Sequence, residues 1–189
     1  PADGALAEIE TMLQRMRELT VQGASGTYST TDISALNEEF KGLRDEIFRI
    51  GQITEWNGTA LLDGDVDGAD DQIVAFHVGA NASQTISVDF GEYETAEDMG
   101  NNFTTTLEIS SNTDSGTALG YVNTAITNVN TQRATFGAAI NRLEYAVDNL
   151  SNVSQNTSAS RSRVLDADYA SETTELARTQ IIQQAATAM

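Results

Sequence analysis

Alternating carboxylates near the middle of the sequence are its clearest candidate for a ligand-binding site. Asp63, Asp65 and Asp67 occupy every second position and a glycine follows them, which matches the first half of a D-x-D-x-D-G calcium loop. Oxygens at this spacing can converge on a hard cation, and Asp71 adds a further carboxylate. The twelfth position of the loop is Val74 instead of the bidentate glutamate that completes such a site. The sequence therefore leaves two interpretations, a calcium site and an acidic surface turn without a metal.

The sequence offers few groups for catalysis. It contains no cysteine and a single histidine, His77, which excludes thiolate chemistry and sites built from several histidines. No serine lies in a G-x-S-x-G turn, and no glycine-rich phosphate loop joins a strand to a helix. His77 belongs to an alternating pattern and is interpreted as a solvent-facing strand residue. We therefore predict that the protein is not an enzyme and has no cofactor other than the calcium ion considered above.

Charge is distributed unevenly along the chain. Its 189 residues include 10 Lys and Arg and 28 Asp and Glu, which gives a net charge of −18. All basic residues lie within 15–49 and 133–178, whereas residues 50–132 contain 13 acidic residues and no basic one. Because nucleic acids and anionic membranes are bound through Lys and Arg, the composition predicts neither as a partner. No apolar run approaches the ~20 residues of a membrane span and no signal-like segment opens the chain, so we predict no membrane insertion.

Both basic segments show helical periodicity. Apolar residues three and four apart predict helices over 5–22 and 32–54, with Thr31 or Asp32 as the cap of the second. A third helix is predicted over 118–160, where one stripe follows a seven-residue repeat: Leu119, Val122, Ile126, Val129, Arg133, Phe136, Ile140, Leu143, Val147 and Leu150. Because an unpaired buried guanidinium costs several kcal/mol, we expect Arg133 to pair with a carboxylate or to lie at the edge of the bundle. Such spacing indicates antiparallel helices packed as in a coiled coil. A helix over 118–160 would be roughly 65 Å long, and this length indicates a rod.

The acidic middle of the chain changes from the helical period to the strand period. Residues 72–79 and 84–90 alternate in polarity and predict a β-hairpin with a short loop. Residues 91–117 are rich in Ser, Thr and Asn and predict a connector with one more short strand over 103–109. The predicted fold class is α+β but mainly α, an elongated rod of long antiparallel helices with coiled-coil-like packing and a small β-hairpin region.

Several motifs, in order along the chain, resemble those of bacterial flagellins. The segment from Leu13 to Gln22 resembles the LQRxRELxVQ motif of the family's N-terminal rod helix. Trp56-Asn-Gly58 resembles the FNGxxLL turn, with Trp in place of the usual Phe, and Val78-Gly-Ala-Asn81 is similar to the QVGAN motif. The C-terminal region of the family is matched by Ala146–Val153, Ser160–Arg163, Asp166–Ala170 and Gln180–Ala185.

The resemblance implies a structural subunit of the bacterial flagellar filament, which self-assembles outside the cell for motility. It also implies export in an unfolded state through the flagellar export apparatus, with a chaperone. The implied divisions are rod helices over 1–62, a hairpin and acidic connector over 63–117, a rod helix over 118–165, and the start of a tube helix over 166–189. Flagellins extend further at both ends, so we expect this chain to remain monomeric, with a frayed segment after Asp166.

The resemblance further implies which side chains contact partners. On the first helix, Gln14, Arg15, Glu18 and Leu19 are implied to contact neighbouring subunits, and they overlap the patch seen by the host Toll-like receptor for flagellin. The alternative interpretation of Arg15 and Glu18 is a solvated face with local ion pairs.

A second charged group lies near the end of the long helix and suits ion pairs between rods: Arg161, Arg163, Asp166 and Asp168. The second hypothesis for the whole protein is a flagellin-like cell-surface protein that binds a polysaccharide or a host surface glycan. Its basis is the acidic middle of the chain, where a calcium ion could bridge acidic protein to acidic sugar.

Overall fold

The structure is a computed structural model that describes residues 1–64, 73–93, 98–100 and 102–188, with the backbone but not the side chains of residues 166–168. Along the chain, its elements are α1 (Ala2–Ala24), α2 (Thr30–Ile53), β1 (Glu55–Trp56), β2 (Thr59–Ala60), β3 (Ile73–His77), β4 (Thr85–Asp89) and α3 (Asn112–Thr187). The fold is therefore mainly α with a small antiparallel β part, as predicted. Two compact units, Pro1–Arg142 and Leu143–Met189, meet within α3. Among the described helices, none is both long and apolar enough to cross a membrane.

The first helix buries the apolar stripe that its sequence predicts. The side chains of this stripe are fully buried: Leu6, Ile9, Leu13, Met16 and Leu19. At the C-terminal end of α1, the Asn112 side-chain amide donates to the carbonyl oxygens of Gly23 and Ser25, each at 2.8 Å. These bonds satisfy carbonyls that have no partner within the helix and hold the start of α3 against the end of α1.

The second helix begins at a different cap from the one predicted. Ser29, not Thr31 or Asp32, is the N-cap, because Ser29 has the extended backbone that a cap requires. Its hydroxyl accepts from the Asp32 backbone N–H at 3.3 Å, and the Asp32 carboxylate accepts from the Ser29 N–H at 3.0 Å. Asp32 is thus the third helical residue of a capping box. The Ser29 hydroxyl also donates to Asp32 Oδ2 at 2.7 Å, and this hydrogen bond, followed by the one from the Ser29 N–H, lowers the pKa of the Asp32 carboxyl.

The third helix is continuous over Asn112–Thr187, where the sequence predicted a long helix followed by another from about residue 166. Its buried seam in the first unit also lies one position to the side of the predicted stripe. Val122, Val129 and Phe136 are buried as predicted, but the alternate seam positions are Ala118, Ala125 and Ala139. Leu119 and Ile126 are half-buried at its flank and Ile140 is exposed. The seven-residue period was right and the choice of seam residues was partly wrong.

Arg133 pairs with carboxylates of α1, as predicted. Its guanidinium donates to Asp3 Oδ1 at 3.2 Å and also to Glu10 Oε2. The hydrogen bonds to Asp3 and then Glu10 raise the pKa of the Arg133 guanidinium. Together with Asn112, which reaches the other end of α1, these contacts make α1 and the first part of α3 antiparallel within the Pro1–Arg142 unit.

The predicted hairpin is present and packs against α3. Strands β3 and β4 are antiparallel, with Val74 opposite Val88 and His77 opposite Thr85. His77 is exposed, as interpreted from the sequence. The rings of Phe90 and Phe136 lie 5.4 Å apart, which brings the hairpin onto α3 in the first unit.

The strand predicted over 103–109 is absent, although Phe103 and Ile109 are buried. Side chains of α2 bind this backbone in place of a neighbouring strand. The buried Asn37 Oδ1 accepts from the Ile109 N–H at 2.7 Å, and the Arg44 Nη1 donates to the Leu107 carbonyl at 2.8 Å. These contacts explain why α2 buries an Asn and an Arg, since each polar group has a partner.

A second, very short hairpin joins α2 to the acidic middle. Glu55–Trp56 pairs with Thr59–Ala60, and the turn residues Asn57 and Gly58 both have positive φ, at 54° and 80°. Positive φ at both central residues defines a type I′ turn, which Asn-Gly adopts readily. The family's FNGxxLL turn is therefore a two-residue hairpin here.

Candidate interaction surfaces

The predicted calcium site lies mostly outside the described residues. Asp65, Asp67 and Asp71 belong to the segment that the structure leaves out, and only Asp63 is described. Asp63 is half-buried and forms an isolated antiparallel bridge with Glu92. Within the described ranges, no cluster of three acidic, His or Cys side chains is arranged to hold a metal. The calcium site stays a prediction.

The polar side of α1 presents part of the predicted contact group. Gln14, Arg15 and Glu18 are exposed, and Val21 continues the same side of the helix. The Arg15 guanidinium donates to Glu39 Oε1 of α2 at 2.7 Å and to Glu18 Oε2 at 2.9 Å. These hydrogen bonds, first to Glu39 and then to Glu18, raise the pKa of Arg15. We call the exposed side chains of Gln14, Arg15, Glu18 and Val21 the α1 face.

Leu19 does not belong to the α1 face, which corrects the prediction made for it. Its side chain lies in the core stripe of α1 and is fully buried. Leu19 follows Met16 by three residues, so both lie in the buried stripe, and Arg15, four residues before Leu19, lies at the edge of that stripe. A partner that docks on the α1 face cannot reach it without opening the helix pair.

The Leu143–Met189 unit presents a helix with no buried side chain among those described. Arg161 and Arg163 are exposed on it, whereas the side chains of Asp166 and Asp168 lie outside the described residues. The exposed large apolar side chains of this unit are Tyr145, Val147, Leu150, Val153, Val164, Leu165, Tyr169, Leu176, Ile181 and Ile182. Burying one such side chain stabilises by about 1.5–3 kcal/mol, so together they offer on the order of 10 kcal/mol to any partner that covers them. We call these ten side chains the α3 apolar surface.

A cleft that the sequence did not indicate lies between the start of α1 and the end of α2. Its volume is about 490 Å³, and its lining includes Glu8, Arg49, Ile53 and Glu55. Ile53 is a large apolar side chain that remains exposed. We call this cavity the α1–α2 cleft. Only the Asn-Gly turn beside it carried a sequence signal.

Comparisons with known proteins agree with these features. Residues 1–67 match the bacterial flagellin N-terminal helical region, and residues 119–189 match the bacterial flagellin C-terminal helical region. The chain is 39% identical over 190 residues to a flagellin of Halalkalibacterium halodurans, covering 100% of this chain and 66% of that protein. It is 34% identical over 194 residues to the flagellar filament 30.7 kDa core protein of Treponema maltophilum, covering 99% of this chain and 68% of that protein. The chain thus spans about two thirds of the length of these curated relatives.

A solved structure gives the same result for the fold. The crystal structure of Bacillus cereus flagellin matches with a TM-score of 0.66 and 30% sequence identity. The match covers 78% of this chain and 80% of the other.

Proposed function

This chain belongs to the bacterial flagellin family, and from that membership we infer that the protein is a structural subunit of the extracellular flagellar filament. Flagellins are a structural family, and we propose no catalytic role for any residue. The observation that carries the proposal is the α3 apolar surface, a stretch of helix whose large apolar side chains have no covering element among the described residues. Exposed apolar area on this scale marks a site of protein association.

Assembly of identical copies would cover the α3 apolar surface without any other partner. Contacts between two different patches of one chain are heterologous, and they propagate as a helical polymer when the rotation does not close. The net charge of −18 opposes association, because like charges repel over about 10 Å at 0.1 M salt. Apolar burial must offset that repulsion, so raised salt is expected to favour assembly.

The α1 face is proposed as a second contact with neighbouring subunits and as part of the patch for a host Toll-like receptor. Among its exposed residues, Arg15 forms ion pairs with Glu18 and with Glu39 of α2. Export through the flagellar apparatus with a chaperone is likewise proposed from family membership. Arg161 and Arg163 are proposed to serve contacts between copies.

The test compares full-length protein with a variant of the α3 apolar surface. Ile181→Gln with Ile182→Gln keeps helix propensity but removes two apolar side chains. At about 1.5 kcal/mol or more for each, the concentration needed for polymerisation should rise about 100-fold, as measured by sedimentation. The matched control, Gln183→Ala with Gln184→Ala, should change it little. Equal sedimentation of the isoleucine variant and the unsubstituted protein would contradict the proposal.

A further inference from the structure

We propose that Asn57, in the turn of the β1–β2 hairpin, is a site of spontaneous deamidation, and that opening of this short hairpin controls the rate. The reaction consumes only water, and it is independent of the proposed filament role. The chain has 13 asparagines, and Asn57 is the only one that precedes a glycine. Which asparagines can react depends on the structure, because the backbone nitrogen of the following residue must reach the asparagine side chain.

Deamidation begins when the backbone nitrogen of Gly58 attacks the side-chain carbon Cγ of Asn57. The new C–N bond closes an imide ring, and the side-chain nitrogen leaves as ammonia with the proton that the Gly58 N–H loses. Water then breaks one of the two C–N bonds of the imide. Hydrolysis at Cγ gives aspartate. Hydrolysis at the main-chain carbonyl carbon instead gives isoaspartate, in which the chain continues through the side chain.

Gly58 presents an unhindered nitrogen to this reaction. It has no side chain, and a Cβ placed on it would have no neighbouring atom within 4 Å apart from its own chain neighbours. In the turn, Trp56 pairs with Thr59, and the Gly58 N–H donates to no group among the described residues. The exposed Asn57 side chain likewise forms no hydrogen bond with the part of the chain that the structure describes. The reacting groups are therefore free of contacts that would hold them apart.

The asparagines inside α3 lack this freedom. In a helix, the N–H that follows each asparagine donates to a carbonyl one turn earlier. Each of these asparagines also precedes a residue with a side chain larger than that of alanine, which hinders the attack. The set consists of Asn123, Asn128, Asn130, Asn141, Asn149, Asn152 and Asn156.

Three further asparagines are held by specific contacts. Asn37 is only 6% exposed, and its Oδ1 accepts from the Ile109 N–H. The Asn112 side-chain nitrogen donates to the carbonyl oxygens of Gly23 and Ser25. After Asn102, the Phe103 N–H donates to the Gly100 carbonyl at 2.7 Å. Asn101 lies outside the described residues.

Asn81 provides an internal reference for Asn57. It lies in the loop between β3 and β4, and its side chain is exposed. The residue that follows is Ala82, whose methyl group stands beside the attacking nitrogen. The two asparagines therefore differ mainly in the residue that supplies the nucleophile and in the hairpin that contains them.

The closed β1–β2 hairpin slows the reaction. Its type I′ turn fixes the backbone of Asn57 and Gly58, with φ of 54° and 80°, whereas closing the imide requires rotation about the Cα–C bond of Asn57. The hairpin has only two residue pairs, Glu55–Ala60 and Trp56–Thr59. Such a short two-stranded pairing is marginally stable. The fraction of time that the hairpin is open therefore sets the rate of deamidation.

The two products have different effects on the hairpin. Aspartate keeps the main chain unchanged, and Asp-Gly adopts the same type I′ turn. Isoaspartate adds one carbon atom to the main chain, so a two-residue turn can no longer place Trp56 opposite Thr59. Each product adds one negative charge to a chain of net charge −18. Neither product reverts, because the ammonia is lost.

Peptide mass spectrometry of full-length protein tests the site. The protein is incubated in mildly alkaline and in mildly acidic buffer, and the mass gain from amide to acid is localised by fragmentation. The attacking nitrogen reacts after losing its proton, so conversion of Asn57 should be faster in the alkaline buffer and should exceed conversion of Asn81. No conversion at Asn57, or equal conversion at Asn57 and Asn81, would overturn the proposal.

A glycine substitution in β2 tests the control by the hairpin. Thr59→Gly removes a good strand residue, so the hairpin should open more often and Asn57 should deamidate about fivefold faster. The matched control is Thr85→Gly, which weakens the β3–β4 hairpin at an equally exposed threonine and should leave the rate at Asn57 unchanged. Circular dichroism checks that both variants are folded. Equal rates at Asn57 in Thr59→Gly and unsubstituted protein would show that hairpin opening does not control the reaction.

Trp56 reports on the loss of the turn, because it is the only tryptophan of the chain and lies next to Asn57. The isoaspartate form is separated by chromatography from protein that has been incubated. Its fluorescence emission should shift to longer wavelength, whereas Asn57→Asp should match the unsubstituted protein. Identical emission from the isoaspartate form and Asn57→Asp would contradict the loss of the turn.

Discussion

Residues 149–160 of α3 combine low helix propensity with the absence of any buried side chain, and both features weaken the helix before assembly. Nine of these residues are Asn, Ser, Thr or Val, each of which costs about 0.5 kcal/mol relative to Ala in a helix. The summed cost in helix stability, relative to alanine, is about 4–5 kcal/mol. No side chain in the segment is buried to offset this cost. Residues 149–160 also carry no charge, so ion pairs within the segment contribute nothing. We expect their amide hydrogens to exchange rapidly in unassembled protein and slowly in filaments.

Alanine substitution tests this reasoning quantitatively. Asn152→Ala, Ser154→Ala, Asn156→Ala and Ser158→Ala together should return about 2 kcal/mol of helix stability, which is roughly 30-fold in amide protection. Hydrogen exchange with mass spectrometry on unassembled protein measures it. The matched control carries four threonine-to-alanine changes on exposed positions of α3 in the first unit, Thr124, Thr127, Thr131 and Thr135, and should leave exchange at 149–160 unchanged. Protection of the unsubstituted segment equal to that of the buried stripe of α1 would refute the reasoning.

The remaining predictions concern caps, the connector, pH and calcium. Ser29→Ala should lower the free energy of unfolding by about 1 kcal/mol in chemical denaturation, with Thr30→Ala nearly neutral, because Ser29 supplies the cap. Asn37→Ala should cost about 1–3 kcal/mol by the same measurement, since the Ile109 N–H loses its buried acceptor, whereas Glu38→Ala should change little. Serine hydroxyls lower the pKa of Asp32 and of Asp114. Both carboxylates therefore stabilise the fold at a pH above the ordinary aspartate pKa of about 3.9. This stabilisation is lost as the pH falls through the lowered pKa of each group. Asp114→Asn should therefore reduce the drop in melting temperature on acidification, and an unchanged drop would contradict the assignment. If Asp63, Asp65, Asp67 and Asp71 bind calcium, millimolar calcium should raise the melting temperature, and Asp65→Asn should abolish the rise. Identical melting curves with calcium and with chelator would leave only the interpretation as an acidic surface turn.

Periodicity predicted the helices and the hairpin because their apolar residues must reach one side of an element. The α1 stripe and the β3–β4 pairing follow directly from spacings of three to four and of two. The same reasoning selected Leu119, Ile126 and Ile140 for the α3 seam because they are large and apolar. The structure buries Ala118, Ala125 and Ala139 instead. The space left by the facing helices, and not hydrophobicity alone, therefore decides which residues lie in a seam.

The connector and the cleft could not be predicted because they depend on contacts between residues distant in sequence. The backbone near Ile109 is bound by Asn37, 72 residues earlier, and that distance leaves no periodic signal. The α1–α2 cleft arises where the start of one helix meets the end of another. The contact role of Leu19 came from the family motif, which identifies positions without stating which side of the helix each residue occupies, whereas the apolar spacing of α1 includes Leu19 in the buried stripe. The apolar repeat that predicted the long helix ends at Leu150, so it carried no signal for the continuity of α3 past residue 166.

Electron microscopy of full-length protein under polymerising conditions is the most direct test of the proposed filament role. We expect helical filaments in which the α3 apolar surface of every copy is covered by neighbouring copies. Protein that remains monomeric at high concentration and raised salt would contradict it, and so would filaments in which Leu176, Ile181 and Ile182 remain in contact with solvent.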